Sequence, residues 1–323
     1  MKAITIEKYG VPDVLRLEEI DKPTPGAEEV LVRVRAAGAN IADCYISRGR
    51  PYVMRLATGL FKPKTHGLGA NFAGVVEAVG QNVTRFKPGD EVFGEVSMGA
   101  CFAEYTCAPE DGLELKPANL TFEQAAAVPM SALTALQALR DKGHIAAGQK
   151  VLINGASGGV GTFAVQIAKS FDAEVTGVCS TKNVELIRSL GADHVVDYTR
   201  EDFTGSDVRY DLMFDNVGNH SLLQCRRILK PDATYISNGG PAGRWLGPAA
   251  HLLKTMMLAP FVSQKVTSLL EAANPADLRT LKDLLEAEKI TPFVDRTYPL
   301  AETREALRYL QTRHARGKVV ITI

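Results

Sequence analysis

Residues 150–161 read K-V-L-I-N-G-A-S-G-G-V-G, and this stretch decides the fold. The apolar run at 151–153 predicts a strand buried on both faces of a parallel sheet, and the mostly apolar residues that follow, to about Phe171, predict a helix. Glycines between them permit positive φ angles and let backbone N–H groups approach a pyrophosphate at the helix N-terminus. Strand, glycine turn and helix in this order predict a dinucleotide-binding unit; the alternative is a glycine-rich turn without a ligand.

The next strand and turn indicate which dinucleotide is bound. Residues 174–179 predict the second strand, and residues 183–190 predict its helix. An NAD-binding protein places an acidic residue about 20 residues after the glycines, where it binds the ribose 2′-hydroxyl. This chain has Ser180, Thr181 and Lys182 there instead. Two hydroxyls, a lysine and a helix N-terminus suit a 2′-phosphate, so we predict NADPH; the alternative is that a hydroxyl only caps the helix.

Composition and charge narrow the class of protein. With 323 residues the chain is too long for one ordinary core, so two domains are expected. Lys plus Arg and Asp plus Glu are equal at 37 each, which argues against a nucleic-acid partner. Five cysteines without a C-x-x-C pair, and N-terminal residues without an apolar signal region, predict a cytoplasmic setting. No integral membrane segment is expected, because prolines interrupt the closest candidate at 245–262.

The predicted fold class is α/β, with a doubly wound Rossmann parallel sheet plus a barrel-like catalytic domain. Residues 1–125 are rich in short strands and turns, which suits an antiparallel barrel. Strands and helices then alternate, with strands at 151–153, 174–179, 194–198, 210–214 and 233–237 and helices at 160–171, 183–190 and 219–229. Residues 245–271 are helix-prone, and the later elements are similar to the first domain. We therefore predict a catalytic domain at 1–125 and 266–323 and an NADP-binding domain at 126–265.

Several motifs resemble one family over nearly the whole chain. They are F-A-G-V-V-E-A-V-G (72–80), F-K-P-G-D-E-V-F-G (86–94), N-G-A-S-G-G-V-G (154–161), L-G-A-D-H-V-V-D-Y (190–198), D-N-V-G (215–218) and R-G-K-V-V-I (316–321). The family is the medium-chain dehydrogenases/reductases, and the branch is that of the zinc-free quinone oxidoreductases related to zeta-crystallin. This resemblance implies that the barrel-like domain is GroES-like, and it also implies a homodimer.

The resemblance further implies a set of NADPH contacts. Ala156 replaces the first glycine of the family's G-x-G-x-x-G pattern. With the residues chosen above on chemical grounds, the implied cofactor-binding residues are Thr134, Ser157, Gly158, Gly159, Val160, Gly161, Ser180, Thr181, Lys182, Tyr198, Asn216, Gly240 and Lys318. Thr134 and Lys318 rest on the resemblance alone, and each could instead be an ordinary surface residue.

The sequence departs from zinc-dependent relatives at their metal ligands. Those relatives have a cysteine in the segment matching 37–43 and a G-H-E motif matching 69–71, where this chain reads A-G-A-N-I-A-D and G-A-N. A catalytic zinc needs three protein ligands, so no metal is expected. Asn40 and Asp43 match the zinc-free N-x-x-D pattern of the substrate cleft. We predict Asn40 and Tyr52 as donors to a developing oxyanion and Asp43 as a positioning group; Asn40 could instead be a turn residue, and Tyr52 could simply pack.

The function that these features predict is NADPH-dependent hydride transfer to quinones or α,β-unsaturated carbonyls, without zinc. An NADP-dependent alcohol dehydrogenase and a non-enzymatic NADPH-binding or structural protein are the alternatives. The apolar stretch 240–262 could line a substrate pocket, pack a dimer interface or contact lipid.

Overall fold

The computed structural model describes residues 1–96, 99–269 and 271–323, and it separates into two compact units. Unit 1 comprises Met1–Leu133, Ala273–Glu288 and Pro292–Ile323, and unit 2 comprises Thr134–Ala272 and Lys289–Thr291. The central part of the chain therefore forms one unit, and the two terminal parts form most of the other.

The elements are numbered in chain order. Before residue 150 they are β1 (Lys2–Thr5), β2 (Arg16–Glu19), β3 (Glu29–Ala39), α1 (Ile41–Arg48), α2 (Arg55–Thr58), β4 (Asn71–Val79), β5 (Glu91–Glu95), β6 (Tyr105–Pro109), β7 (Leu113–Leu115), α3 (Phe122–Ala126) and α4 (Pro129–Leu136). From residue 150 they are β8 (Lys150–Asn154), α5 (Gly159–Ser170), β9 (Glu174–Cys179), α6 (Val184–Ser189), β10 (His194–Asp197), β11 (Tyr210–Asp215), α7 (Leu222–Cys225), β12 (Leu229–Ser237), α8 (Pro248–Leu258), β13 (Lys265–Ser268), α9 (Pro275–Glu286), β14 (Val294–Pro299), α10 (Thr303–Gln311) and β15 (Lys318–Thr322).

Unit 2 contains a parallel sheet in the order β10-β9-β8-β11-β12-β13. Its strands are apolar because both faces are covered, and Leu152, Met213 and Tyr235 are fully buried in one cluster. The strand order reverses between β8 and β11, and ligands of such sheets bind at the carboxyl ends of the strands on either side of that point. The glycine turn follows β8, so it lies where a dinucleotide is expected. The parallel Rossmann sheet of the predicted fold class is confirmed.

Two predicted elements of unit 2 were wrong in part. In the region 245–271 the helix α8 and a 3-10 turn at Ala259–Phe261 end before β13, which joins the parallel sheet beside β12. The predicted boundary at 265/266 therefore falls inside a strand; Leu270 lies outside the described residues. The helix predicted at 219–229 is shorter, because the Ser221 hydroxyl accepts a hydrogen bond from Gln224 N–H and starts α7 at Leu222, while β12 already begins at Leu229.

Unit 1 is built on a largely antiparallel sheet in the order β14-β15-β3-β4-β5-β7, with β6 also paired to β3. The long strand β3 buries Val30, Val32 and Val34 in the core and pairs with β15, so both terminal parts of the chain share one sheet. β3 ends at Ala39, where the chain turns into α1. This turn places Asn40 and Asp43 beside β15. None of the described helices combines the length and the apolar content needed to cross a bilayer.

Candidate cofactor site and candidate active site

The glycine turn has two glycines with different requirements. A Cβ at Gly161 would lie 2.2 Å from the Gly155 carbonyl oxygen, so only glycine lets α5 approach the turn. Gly158 has φ −81°, and a Cβ there would lie 3.5 Å from that oxygen, an ordinary contact. Gly161 is therefore required by the fold, whereas space at Gly158 is open for a ligand that approaches the first turn of α5.

Asn183 connects the glycine turn with the end of β9. Its Nδ2 donates to Ser157 Oγ at 3.0 Å and to Ser180 Oγ at 3.2 Å, and its side chain is buried. Because both hydroxyls accept these bonds, their own hydrogens remain available for a ligand. The sequence indicated Asn183 only as the start of a helix; its position directly after S-T-K was the available signal.

Thr181 is not arranged as the sequence predicted. Its hydroxyl donates to Asp197 Oδ2 at 2.5 Å and lies 2.8 Å from the Thr199 hydroxyl, which donates to Asp197 Oδ1. The Thr181 hydrogen is therefore used by a carboxylate and is not directed to a phosphate. Lys182 is exposed and forms no ion pair with the described residues, so it remains the cationic group of this turn.

Asp215 organises the turn that follows β11. The buried carboxylate accepts from Val217 N–H at 3.0 Å, from Gly218 N–H at 2.8 Å and from Asn154 Nδ2 at 2.9 Å. Tyr235 donates its hydroxyl to Asp215 at 2.7 Å, and burial raises the pKa of this phenol, so it stays a donor. Four hydrogen bonds thus hold the turn D-N-V-G in one conformation. This residue was missed as a site residue, although D-N-V-G was recognised as a motif.

Asn216 and Gly240 lie together at this end of the sheet. A Cβ at Gly218 would lie 2.8 Å from the Gly240 Cα, so the two turns are in close contact. Asn216 Oδ1 accepts from Asn238 at 2.9 Å, but its Nδ2 is buried without a partner among the described residues. A buried donor without an acceptor is costly, and an acceptor on a bound ligand would satisfy it. The residues present thus fit the predicted dinucleotide.

The other two predicted cofactor residues of unit 2 differ in exposure. Tyr198 follows β10, and its backbone N–H donates to the Cys179 carbonyl at 3.0 Å. Tyr198 is 54% exposed. Thr134 is buried in α4 and is not the helix-surface residue that the sequence left as an alternative.

In unit 1 the structure unites residues predicted for different roles. Lys318, on β15, is only 3% exposed and donates to Asn40 Oδ1 at 2.5 Å and to Ser131 Oγ at 3.0 Å. Asn40 is also buried, and its Nδ2 donates to the Gly38 carbonyl at 3.3 Å. The Asn40 oxygen therefore accepts from Lys318, and one of the two N–H donors of its amide is bonded to Gly38. The role of Asn40 as a donor to an oxyanion stays a prediction and would use the second N–H.

Asp43 holds the backbone around this pair. Its Oδ2 accepts from Asn40 N–H at 2.8 Å and its Oδ1 accepts from Gly69 N–H at 3.2 Å. Burial raises the pKa of Asp43 to about 6, against the effect of these bonds and of the Lys318 charge. Burial likewise lowers the pKa of Lys318 to about 8, although Asp43 and Glu95 oppose this change. The buried amine of Lys318 therefore lies in the field of two carboxylates, Asp43 and Glu95.

Asn71 begins β4 at the position where zinc-dependent relatives have the glutamate of G-H-E. It is fully buried, and neither side-chain nitrogen nor oxygen has a hydrogen-bond partner among the described residues. His66, the histidine that precedes this segment in the sequence, is exposed on a loop. Across residues 1–96, 99–269 and 271–323, no three His, Cys, Asp or Glu side chains are grouped so that they could hold a metal ion. The donor set around Asn40 and Asn71 does not fit zinc, which prefers thiolate, imidazole and carboxylate ligands.

Tyr52 lies apart in sequence from this centre, in a short 3-10 helix before α2. Its half-buried ring lies under the Arg55 guanidinium, 4.8 Å from the ring centroid, and Arg50 is 5.7 Å away. Cation–π contacts therefore account for part of its packing.

Comparison with known proteins places the whole chain among oxidoreductases. A model described as an alcohol dehydrogenase GroES-like domain matches residues 26–118, and one described as a zinc-binding dehydrogenase matches residues 190–321. The mitochondrial NAD(P)H oxidoreductase RTN4IP1 of Bos taurus is 34% identical, with 100% of this chain and 89% of that protein covered. The chloroplastic NADPH-dependent alkenal/one oxidoreductase of Arabidopsis thaliana is 34% identical over 99% of this chain and 79% of that protein.

A solved structure shows the same fold. The quinone oxidoreductase of Escherichia coli, complexed with NADPH, is 26% identical and superposes with a TM-score of 0.85 over 100% of both chains.

Proposed function

The chain belongs to the medium-chain dehydrogenase/reductase family, and on that premise we propose that it is an NADPH-dependent reductase of quinones or α,β-unsaturated carbonyls that works without zinc. One observation carries the proposal. In the segment where zinc-dependent relatives have a metal-binding cysteine, this chain has Asn40, and the buried amine of Lys318 donates to its amide oxygen at 2.5 Å. A positive amine can stabilise a negative oxygen but is a weaker electrophile than a metal ion, so it suits substrates that spread the incoming charge themselves.

The cofactor-binding residues fall into two groups. Ser157, Ser180 and Lys182, with the first turn of α5, would hold the phosphates, and Asn216 and Gly240 would hold the nicotinamide side. Gly159, Val160 and Tyr198 complete the first group, whereas the buried Thr134 remains proposed on family resemblance. When bound, NADPH supplies the hydride.

Preference for NADPH over NADH is the sharpest test of this cofactor site. Because no carboxylate follows β9 directly and Lys182 is exposed there, Lys182→Ala should weaken NADPH binding at least tenfold, about 1.4 kcal/mol, and leave NADH binding nearly unchanged. Equal losses for both cofactors would exclude the 2′-phosphate assignment. Binding is measured by isothermal titration calorimetry.

Lys318 has the chemistry to receive the developing charge. An ammonium group has three N–H donors, and two of them are used by Asn40 and Ser131. The third has no partner among the described residues. We assign it the substrate oxygen, with Asn40 orienting the amine and Asp43 fixing the backbone of Asn40. Lys318 thus takes a substrate role in this proposal in addition to the cofactor contact that the resemblance implied. Tyr52 or water would deliver the proton to the product.

The substrate class is tested by comparing acceptors of similar size. With NADPH, turnover of a small enone and a small quinone should exceed that of a saturated aldehyde, whose oxyanion would form on a single oxygen. Asn40→Ala should lower kcat more than it weakens NADPH binding. Faster reduction of the aldehyde would favour an alcohol dehydrogenase. NADPH binding without turnover on any of the three would favour a non-enzymatic binding protein.

The setting of the protein is also a proposal. The five cysteines are all free, which suits a reducing compartment, and we take this to be the cytoplasm. We keep the homodimer from family resemblance; β13 is an edge strand, and Phe261 just before it is 77% exposed. The equal numbers of acidic and basic residues support a small-molecule substrate rather than nucleic acid.

A further inference from the structure

Two chain segments leave neighbouring parallel strands at the NADPH side of unit 2. Asp197, the last residue of β10, pairs with Cys179, the last residue of β9. The residues that follow are therefore adjacent: Ser180, Thr181 and Lys182 after β9, and residues 198–200 after β10. Only the first segment was predicted from the sequence to bind the 2′-phosphate.

The Asp197 carboxylate ties the two segments together. Its Oδ1 accepts from the Thr199 N–H at 3.0 Å and the Thr199 hydroxyl at 2.7 Å. Its Oδ2 accepts from the Thr181 hydroxyl at 2.5 Å and lies 3.5 Å from Arg200 Nε. Because the last two contacts share one oxygen, the Thr181 hydroxyl and the Arg200 guanidinium lie within about 6 Å of each other.

This arrangement changes the electrostatics expected for a 2′-phosphate. The hydrogens of Thr181 and Thr199 are both used by Asp197, so neither hydroxyl can donate to a phosphate without breaking that bond. Asp197 also adds a negative charge beside the site, and like charges repel. The donors counted from the sequence are therefore fewer than predicted. Of the residues 180–182, Ser180 keeps a hydroxyl donor, and Lys182 would be the one cation facing a dianion next to a carboxylate.

Arg200 supplies what is missing. Its side chain is 75% exposed, and the closest approach of its guanidinium to the carboxylate is through Nε. Its two terminal nitrogens form no hydrogen bond with the described residues, so they can bind a ligand. A guanidinium matches the spacing of phosphate oxygens and binds them bidentately. We propose that Arg200, held at the end of β10 by Asp197, is a second binding residue for the 2′-phosphate of NADPH. This inference rests on the proposed NADPH dependence.

The experiment compares Kd values for NADPH and NADH by isothermal titration calorimetry in four full-length proteins: wild type, Arg200→Ala, Arg200→Lys and Arg188→Ala. Arg188 is the matched control, because it is exposed on α6 and paired with Glu185. Arg200→Ala should raise the NADPH Kd roughly five- to tenfold and change the NADH Kd less than twofold. Arg200→Lys keeps the charge but loses the fork, so its loss should be intermediate. Arg188→Ala should change neither constant.

The salt dependence gives an independent readout. An exposed charge contact is screened by salt, so the penalty of Arg200→Ala for NADPH should shrink between low and high ionic strength. An unchanged NADPH Kd in Arg200→Ala, or equal losses for both cofactors, would overturn the role of Arg200. A wild-type protein that binds both cofactors equally would instead overturn the proposed NADPH preference. Weaker NADPH binding in Lys182→Ala but not in Arg200→Ala would be consistent with that preference and would refute only the role of Arg200.

Discussion

The buried amine of Lys318 should make the stability of the protein depend on pH in a specific direction. Burial lowers its pKa from 10.5 in the unfolded chain to about 8 in the folded protein. Between these values the unfolded chain still binds a proton that the folded protein has released, so the free energy of unfolding rises with pH. Below pH 8 the cost of the buried charge is fully present. Lys318→Met removes the amine and hence this dependence.

The magnitude follows from the same two values. Each pH unit between them is worth about 1.4 kcal/mol, so the wild type should gain up to about 3 kcal/mol relative to Lys318→Met on going from pH 8 to pH 10.5. Buried thiols act oppositely: burial raises the pKa of Cys44 to about 12, and stability is lost above the unfolded thiol value of 9. This loss is common to both proteins and cancels in their difference.

Urea unfolding followed by circular dichroism at pH 7, 8, 9 and 10 measures the difference. Lys62→Met is the control, because Lys62 is exposed and its removal should give a difference that does not change with pH. A constant difference between wild type and Lys318→Met across pH 8–10 would refute the reasoning. It would mean that the amine is charged at no cost, fully compensated by Asp43 and Glu95.

The remaining predictions concern the glycine turn, the polar core and metal dependence. Gly158→Ala should fold normally, as its circular dichroism would show, yet bind NADPH at least tenfold more weakly. Gly161→Val should be destabilised, because a Cβ at residue 161 lies 2.2 Å from the Gly155 carbonyl oxygen. Tight NADPH binding by folded Gly158→Ala would mean that the turn holds no phosphate. Asn71→Leu should raise the free energy of unfolding by about 1–3 kcal/mol, because it removes buried polar atoms that have no partner among the described residues. A lower free energy of unfolding in urea would indicate that a buried water binds the Asn71 amide. Activity with a quinone should survive exhaustive chelation, and elemental analysis should find no stoichiometric zinc; joint loss of zinc and activity would contradict this.

Most strands and helices of unit 2 were predictable from local sequence patterns. A strand, a glycine turn and a helix are consecutive in the chain, so their physical requirements are visible within a dozen residues. The same holds for the missing acid after β9. The carboxylate beside Thr181 was not visible, because Asp197 comes from the next strand and the register of β9 and β10 decides the contact.

The element bounds that differ from the prediction depended on sheet pairing. Residues 265–268 have no strong strand pattern of their own within a helix-prone region, and they form β13 because β12 offers an unpaired edge. Local propensity is a weak guide where the hydrogen-bond partner is distant in sequence.

The sequence by itself determined the parallel sheet, the consecutive strand, glycine turn and helix, and the absence of the relatives' zinc ligands. Asn40, Asp43 and Lys318 were selected through the family resemblance. Only the tertiary structure decided that Asn40 and Lys318, 278 residues apart, form one buried pair. The pairing of β15 with β3 creates that contact, and burial then moves both the Asp43 and the Lys318 pKa toward neutrality. Neither effect is encoded in any short stretch, because desolvation depends on every element packed around the pair.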